Sequence, residues 1–173
     1  MKIKDSGERR EFDTGAVRDI QEGVKGRCDL MPLDIVADLL HDSIIGKIDH
    51  FYRTSSELYL YEAINLFCDK QKRAMPDMLL EVSIHFSEGA KKYEIDNWKK
   101  GIPVRSYIDS AVRHYLKCLR GDDDEPHDRA FIWNLMCCAW TVIHLPKMND
   151  LPADSISMKE IMKERLENKW QEQ

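Results

Sequence analysis

Apolar and polar positions recur at helical spacing along most of the chain, and proline and glycine mark the breaks between helices. The predicted helices span residues 31–40, 43–52, 55–70, 76–93, 106–119, 125–143 and 157–170. Pro32 suits the first turn of the first helix. Ser55 or Ser56 is expected to cap the third helix, and Ser157 forms a capping box on the last. No segment predicts a strand, so the expected fold class is all-α, a helical bundle.

The two ends of the chain are less regular than its middle. Residues 1–29 are charged and contain several glycines, and they predict an irregular arm with a short helical turn over Ala16–Gln21. Residues 145–173 predict a loop followed by the last helix. No internal repeat is visible, so residues 1–173 are expected to form a single domain.

Composition and charge exclude several classes of function. Hydrophobic residues make up 43% of the 173 residues, which is enough for an ordinary core, and the formal net charge is −5. A negative chain binds nucleic-acid polymers and anionic membranes poorly, although a local basic cluster can still hold a small phosphate ligand. No stretch predicts a membrane span, and the first residues do not resemble a signal peptide. We therefore expect a cytoplasmic protein.

The five cysteines are Cys28, Cys68, Cys118, Cys137 and Cys138. None of them form a Cys-x-x-Cys pair, which argues against a zinc site of that type. An odd number of cysteines without a secretory signal predicts reduced thiols that serve as small core hydrophobes.

The segment 76–93 carries a polar stripe on an otherwise apolar helix. Glu81, His85, Glu88 and Lys92 follow the spacing i, i+4, i+7 and i+11, and therefore share one face. One interpretation is a solvated stripe with ion pairs within the helix. The other is a site for a divalent metal, because carboxylates are ligands that Mg²⁺ and Mn²⁺ prefer.

The next two predicted helices carry comparable groups. Asp109 and Arg113 lie four residues apart, which predicts either an ion pair within the helix or a metal ligand beside a phosphate-binding group; His114 could contact a phosphate or a base. His127 and Asn134 lie seven residues apart on one face of helix 125–143. They are either hydrogen-bonded core residues or part of a polar pocket, because buried polar groups are costly unless paired.

Two further segments offer groups suited to a nucleotide. Tyr93 and Trp98 could stack on a base and Asn97 could hydrogen-bond to its edge, or these residues could form a lid over the bundle. Guanidinium and backbone N–H groups near glycines can hold phosphate, although no Walker-type spacing occurs here. The arm residues of this kind are Arg18, Lys25 and Arg27.

Together these segments resemble a known family. In chain order the pieces are Thr14–Asp19, Lys25–Pro32, Glu88–Tyr93, Asn97–Trp98, Asp109–His114 and His127–Asn134. The set is similar to the dATP/dGTP diphosphohydrolase-type domain of phages and prophages, which is related to the MazG-like all-α nucleoside triphosphate pyrophosphatases. The resemblance covers about residues 5–143, and residues 41–74 look like a helical insertion carried by longer members.

The resemblance implies a MazG-like bundle, usually oligomeric, that binds a deoxynucleoside triphosphate with Mg²⁺ or Mn²⁺ and releases the monophosphate and pyrophosphate. It implies that Glu88 and Asp109 are catalytic and that Glu81, His85, Glu88 and Asp109 bind the metal. The expected substrate-binding residues are Arg18, Lys25, Arg27, Lys92, Tyr93, Asn97, Trp98, Arg113, His114, His127 and Asn134. The apolar segment Ala130–Ile143 must be buried, which also favours a dimer or tetramer.

Two positions depart from the pattern of the MazG-like enzymes. Those enzymes carry Glu-x-x-Glu on one helix and Glu-x-x-Asp on the next, and the first members here are His85 and Ser106. Two functions therefore stay open: a pyrophosphohydrolase of purine deoxynucleotides, and a phage protein that sequesters a host nucleotide signal or pool without hydrolysing it. A third interpretation is a helical scaffold whose polar stripes make oligomer contacts.

Overall fold

The computed structural model describes residues 9–19 and 25–152, which form an all-α bundle with a small hairpin. The helices are α1 (Leu33–Leu40), α2 (Ser43–Thr54), α3 (Leu58–Lys70), α4 (Met75–Lys92), α5 (Val104–Arg120) and α6 (His127–His144). The strands are β1 (Arg9–Glu11) and β2 (Val17–Asp19), which pair antiparallel. The predicted fold class is confirmed, and the predicted last helix, 157–170, lies outside the described residues.

The arm contains a β-hairpin, whereas the sequence predicted no strand there and a helical turn over Ala16–Gln21; residues 20 and 21 lie outside the described residues. Arg10 lies opposite Arg18 in the pairing, and Val17–Asp19 is extended. Gly15 has a φ of +77°, a conformation that glycine adopts without strain and that this tight turn requires. The prediction failed because strands of three residues are too short to show an alternating pattern.

The boundary between α2 and α3 also differs from the prediction. Ser55 ends α2 in the left-handed conformation, and its N–H donates to the carbonyl of Phe51 at 2.7 Å. Helix α3 begins only at Leu58, after Glu57, and no side chain caps it. The predicted cap by Ser55 or Ser56 is therefore wrong, because Ser55 closes the preceding helix instead.

One hydrophobic core holds the helices together, and α6 lies at its centre, packed against α3, α4 and α5. The segment 41–74, which was expected to be an insertion, supplies much of that core. Its fully buried side chains include Ile45, Ile48, Phe51, Leu60 and Phe67. This segment is therefore an integral part of the bundle, and its status as an insertion relative to other family members stays a prediction.

Helix α6 buries most of its apolar residues within one chain. Phe131, Ile132 and Leu135 are fully buried, and Trp133 packs against the same core. Most of the apolar residues of 130–143 are therefore covered within one chain, although Ile143 is 50% exposed, and the oligomer stays a prediction. Across residues 9–19 and 25–152, no helix has both the length and the apolar character needed to cross a bilayer.

The cysteines take the expected core positions. All five are free thiols: Cys68, Cys137 and Cys138 are buried in the core, and Cys28 and Cys118 pack against it. Burial raises the pKa of the Cys118 thiol to about 12, which keeps this thiol protonated and unreactive.

Candidate functional site

A cleft of about 1230 Å³ lies between the hairpin, the segment after it and helices α4, α5 and α6. All three helices that carry predicted polar stripes contribute to its lining. Helix α4 contributes His85, α5 contributes Arg113 and His114, and α6 contributes Trp133 and Asn134. The cleft is therefore the place where the polar groups of distant segments meet.

Arg18 is the hub of one wall of the cleft. Its guanidinium donates to Ser110 Oγ at 3.2 Å and to Asn134 Oδ1 at 2.8 Å, which joins the hairpin to both α5 and α6. The same guanidinium lies over the rings of Tyr107 and Trp133, at 5.1 and 5.9 Å from their centroids. These contacts fix the arginine on an aromatic surface.

Asn97 holds the hairpin in place. Its side-chain oxygen accepts from Val17 N–H at 2.8 Å, and its side-chain nitrogen donates to the Val17 carbonyl at 2.8 Å. The amide thus pairs with the strand as another strand would. The sequence left two interpretations open for Asn97, a hydrogen bond to a base or part of a lid over the bundle, and in the structure its amide pairs with the backbone of β2.

Asp19 fastens the hairpin to the end of α4. Its carboxylate accepts from Lys92 Nζ at 2.6 Å and from Tyr93 Oη at 2.9 Å, and it pairs with Arg9 at 3.1 Å. Burial and the charge of Asp19 raise the pKa of the Tyr93 hydroxyl above its usual value. Lys92 therefore stabilises the packing of the hairpin against α4, and it does not line the cleft.

Asp109 and Arg113 form the ion pair that their spacing allowed, with Arg113 Nη2 at 2.6 and 2.7 Å from the two carboxylate oxygens. Asp109 also accepts from Cys28 N–H at 2.6 Å, and Arg113 donates to the Gly26 carbonyl at 2.9 Å. This pair therefore anchors the segment before α1 onto α5. Arg27 in that segment pairs with Asp29 at 2.6 Å, away from the cleft lining.

The other carboxylates expected to bind a metal also face an arginine. Buried Arg129 of α6 lies 2.9 Å from Glu88 and 4.0 Å from Glu81. An arginine beside a carboxylate supplies the positive charge that Mg²⁺ would otherwise supply. Within the described residues, Glu81, His85, Glu88 and Asp109 do not converge as a group of metal ligands. The geometry therefore does not fit a shared Mg²⁺ or Mn²⁺ site on this set.

Two buried polar atoms belong to residues that line the cleft and have no hydrogen-bond partner among the described residues. They are Nδ1 of His85 and Nε1 of Trp133, whose rings lie 5.4 Å apart. Burial, together with the positive charges of Arg129, Arg18 and Lys92, lowers the pKa of His85 to about 3, so its ring is neutral near pH 7. Buried polar atoms without partners are rare in folded proteins, and a cleft is where a ligand can satisfy them.

His114 and His127 meet beside two acidic residues. Their Nδ1 atoms are 2.9 Å apart, and Oε1 of Glu125 lies 3.8 and 3.6 Å from them. His127 Nε2 lies 2.7 Å from Asp124 Oδ1. Asp124 and Glu125 were not predicted as site residues, because residues 121–124 lay between two predicted helices and Glu125 began the second; the Asp-Glu-Pro-His run there is the signal that could have pointed to them.

Most of the predicted substrate-binding residues line the cleft. Those that do are Arg18, Lys25, Tyr93, Asn97, Trp98, Arg113, His114 and Asn134. Arg27, Lys92 and His127 do not line it, because each is turned to a partner inside the fold. The roles assigned to these residues in binding and catalysis stay predictions.

A family model described as dATP/dGTP diphosphohydrolase, N-terminal, matches residues 60–151, which is more than half of the chain. The chain belongs to this family. The matched segment begins within α3 and includes α4, α5 and α6, so it contains the helical walls of the cleft but not the hairpin. No curated protein and no solved structure matches the chain at a significant level.

Proposed function

We propose that this protein binds a purine deoxynucleoside triphosphate in the cleft and hydrolyses it to the monophosphate and pyrophosphate. The family's name supports the reaction and the substrate class. The observation that carries the proposal is the pair of buried, unpartnered atoms on two residues that line the cleft, His85 Nδ1 and Trp133 Nε1. A ligand with ring nitrogens or exocyclic groups would satisfy both atoms at once.

Aromatic side chains around these two atoms suit a planar base. Trp133 lies 5.8 Å from the ring of Phe86 and 6.2 Å from that of Tyr107, and Phe86 in turn lies 5.6 Å from Trp98. Phe86, Trp98 and Trp133 all line the cleft. Bases stack favourably on such rings, and hydrogen bonds to a His or Trp nitrogen would fix their orientation.

Cationic side chains of the cleft suit the triphosphate. They are Arg10, Arg18, Lys25, Arg113, Lys117 and Arg120. In the reaction, water forms one new bond to phosphorus, the bridge between the α- and β-phosphates breaks, pyrophosphate leaves, and a proton passes to solvent. Positive groups lower the barrier by compensating charge on the phosphate oxygens and on the leaving pyrophosphate. The Mg²⁺ or Mn²⁺ implied by the resemblance stays a prediction.

Binding is tested by removing a single donor from the cleft. Trp133→Phe keeps an aromatic ring but removes Nε1–H, and it should weaken the binding of dATP or dGTP about fivefold to tenfold, since one hydrogen bond contributes about 1 kcal/mol. Trp140→Phe is the matched control, because Trp140 packs on Trp98 at 5.0 Å outside the cleft lining. Calorimetric titration of both variants gives the comparison. Equal nucleotide affinities in Trp133→Phe and wild type would contradict the proposal that Trp133 Nε1 hydrogen-bonds to the base.

Hydrolysis is tested by incubating the protein with a panel of nucleoside triphosphates, with and without Mn²⁺, and measuring pyrophosphate. Release of pyrophosphate and monophosphate from dATP or dGTP is the expected result. Tight binding of these nucleotides without any product, with every metal, would leave binding as the only function.

A second candidate function, sequestration of a nucleotide without hydrolysis, is favoured by one specific observation. Glu88 and Asp109, the expected catalytic carboxylates, each pair with an arginine at 2.9 Å or less. Glu88→Gln separates the two candidates. In an enzyme that uses the Glu88 charge, turnover should fall by about two orders of magnitude or more while the fold is kept. In a sequestering protein, nucleotide affinity should stay within about twofold of wild type.

A further inference from the structure

Three side chains from two helices and a loop converge beside the cleft. Nδ1 of His114 on α5 and Nδ1 of His127 at the start of α6 are 2.9 Å apart. Oε1 of Glu125, from the loop between these helices, lies 3.8 Å from the first nitrogen and 3.6 Å from the second. All three side chains are shielded from solvent, with exposed fractions of 17%, 2% and 17% for His114, His127 and Glu125.

These separations match those of ligands around one metal ion. Ligand atoms about 2.1 Å from a tetrahedral or octahedral ion are roughly 3.0–3.4 Å apart, so the three atoms need to move by only a few tenths of an ångström to share an ion. We propose that His114, Glu125 and His127 bind a divalent transition-metal ion such as Zn²⁺. This goes beyond the proposed function, because an ion can bind here whether or not a nucleotide is hydrolysed.

The contacts of the His127 ring favour metal binding through its Nδ1 atom. Its Nε2 lies 2.7 Å from Asp124 Oδ1, and a carboxylate only accepts, so Nε2 carries the proton and Nδ1 keeps its lone pair. Lys117 lies 3.3 Å from Asp124 and holds this carboxylate in turn. A carboxylate that accepts from the second nitrogen of a ligating histidine is the usual outer partner in metal sites, where it fixes the ring and its tautomer.

The chemistry of the donors selects the kind of ion. Two imidazole nitrogens and one carboxylate suit Zn²⁺, Co²⁺ or Fe²⁺, whereas Mg²⁺ prefers oxygen ligands. Because His127 Nδ1 keeps its lone pair, His114 Nδ1 donates to it at 2.9 Å, and an ion that binds His114 here displaces this proton to the other ring nitrogen or to solvent. Three protein ligands leave at least one coordination position open, and His114 and Glu125 both line the cleft. Water or a phosphate oxygen could occupy that position.

A second possible set of metal ligands also includes His127 and has to be distinguished from the proposed one. Asp122 and Asp124 also lie near His127, within 4.8 Å of one another by their ligand atoms. Asp122 is already paired with Arg120, whose Nε lies 2.6 Å from its carboxylate. Binding through this group would use Nε2 of His127 and would break its bond to Asp124. The two ligand sets therefore predict opposite effects on metal binding: substitution of Glu125 weakens it in the proposed site, and substitution of Asp122 weakens it in the second set.

The test is metal binding by the full chain without nucleotide. The apo protein is titrated with Co²⁺, whose visible spectrum reports the coordination, and Zn²⁺ and Mg²⁺ then compete; metal content after dialysis gives the stoichiometry. We expect one Zn²⁺ or Co²⁺ per chain and no comparable binding of Mg²⁺. His114→Gln and Glu125→Gln should each weaken binding by about a hundredfold or more, and Asp124→Ala by about 10- to 100-fold through loss of the outer contact.

Asp122→Asn and His144→Gln are the controls, since neither residue belongs to the proposed ligand set and His144 is exposed. Both should bind metal like the wild type. The proposal is overturned if wild-type protein binds Co²⁺ no better than His114→Gln, or if Asp122→Asn abolishes binding while Glu125→Gln does not. Circular dichroism of each variant shows that it is folded. The metal titration contains no nucleotide, so its outcome does not depend on whether the protein releases pyrophosphate. Loss of metal binding would likewise not contradict nucleotide binding in the cleft.

Discussion

The two halves of the bundle bury different kinds of side chain. The α2–α3 half buries mainly apolar groups, such as Ile48, Phe51 and Phe67. The α4–α6 half is wrapped around the cleft and also buries many polar and charged groups. These are His85, Asn97, Asp109, Ser110, His127, Arg129, Asn134 and Thr141. One half therefore supplies stability through packing, and the other uses buried polar contacts to set the shape of a site.

This difference predicts how substitutions behave. A truncation in the apolar half should lower the free energy of unfolding and leave the cleft intact. A change to a buried polar group near the cleft should alter both stability and ligand binding, because the same contacts stabilise the fold and set the shape of the cleft.

The largest effect is expected from Phe67→Ala. Phe67 is fully buried, with its ring 4.7 Å from Phe131 and 5.9 Å from Tyr115. Its removal should lower the free energy of unfolding by about 3–5 kcal/mol, because transfer and cavity terms add. Urea unfolding measures this loss. Nucleotide affinity of the folded variant should match wild type, and a clear loss of affinity would break the separation between the two halves.

Asp109→Asn should lower the free energy of unfolding by about 3 kcal/mol, because it leaves Arg113 without its charged partner in a largely buried place. It should also accelerate hydrogen exchange at the Cys28 amide, which donates to Asp109 at 2.6 Å. Denaturant unfolding and hydrogen-exchange mass spectrometry test both effects. Nucleotide affinity should fall as well, since the segment carrying Lys25 loses its anchor. Unchanged exchange at Cys28 would contradict the anchoring role.

Acid should destabilise the cleft half through His85. Its pKa is about 3 in the folded protein and about 6.5 when unfolded, so the unfolded state gains a proton first as the pH falls. The contribution of neutral His85 to the free energy of unfolding is therefore fully present above about pH 6.5. It decreases as the pH falls below this value, by about 2 kcal/mol at pH 5. His85→Leu should remove this share of the pH dependence. Parallel slopes for wild type and variant between pH 7 and pH 5 would show that His85 is not the group responsible.

The smallest effect is expected at the surface of the apolar half. Glu62 pairs with Lys47 at 2.9 Å, and both side chains are at least a third exposed to solvent. Glu62→Gln should change the free energy of unfolding by less than about 1 kcal/mol, because exposed ion pairs are screened. The same urea experiment measures it beside Asp109→Asn. Equal losses in the two variants would show that burial does not distinguish these ion pairs.

The helices from residue 33 to 144 could be predicted from the sequence, with errors of a few residues at their ends. Their apolar periodicity is local, and Pro32 and Pro76 mark two of their starts. The spacing of Asp109 and Arg113 likewise indicated an ion pair, because residues four apart meet on any helix. The family could be recognised for the same reason, since its motif segments are short and continuous.

The helices, the family and the faces that carry polar groups thus follow from local patterns in the sequence. Which polar groups meet depends on how the helices pack. The bond from Arg18 to Asn134 joins positions 116 residues apart, and the hydrogen bonds of Asn97 reach back 80 residues to Val17. The pairing of Glu88 with Arg129 and the meeting of His114 with His127 depend in the same way on how α4, α5 and α6 pack. Helical periodicity fixes which face a residue occupies, but not which partner another helix brings to that face.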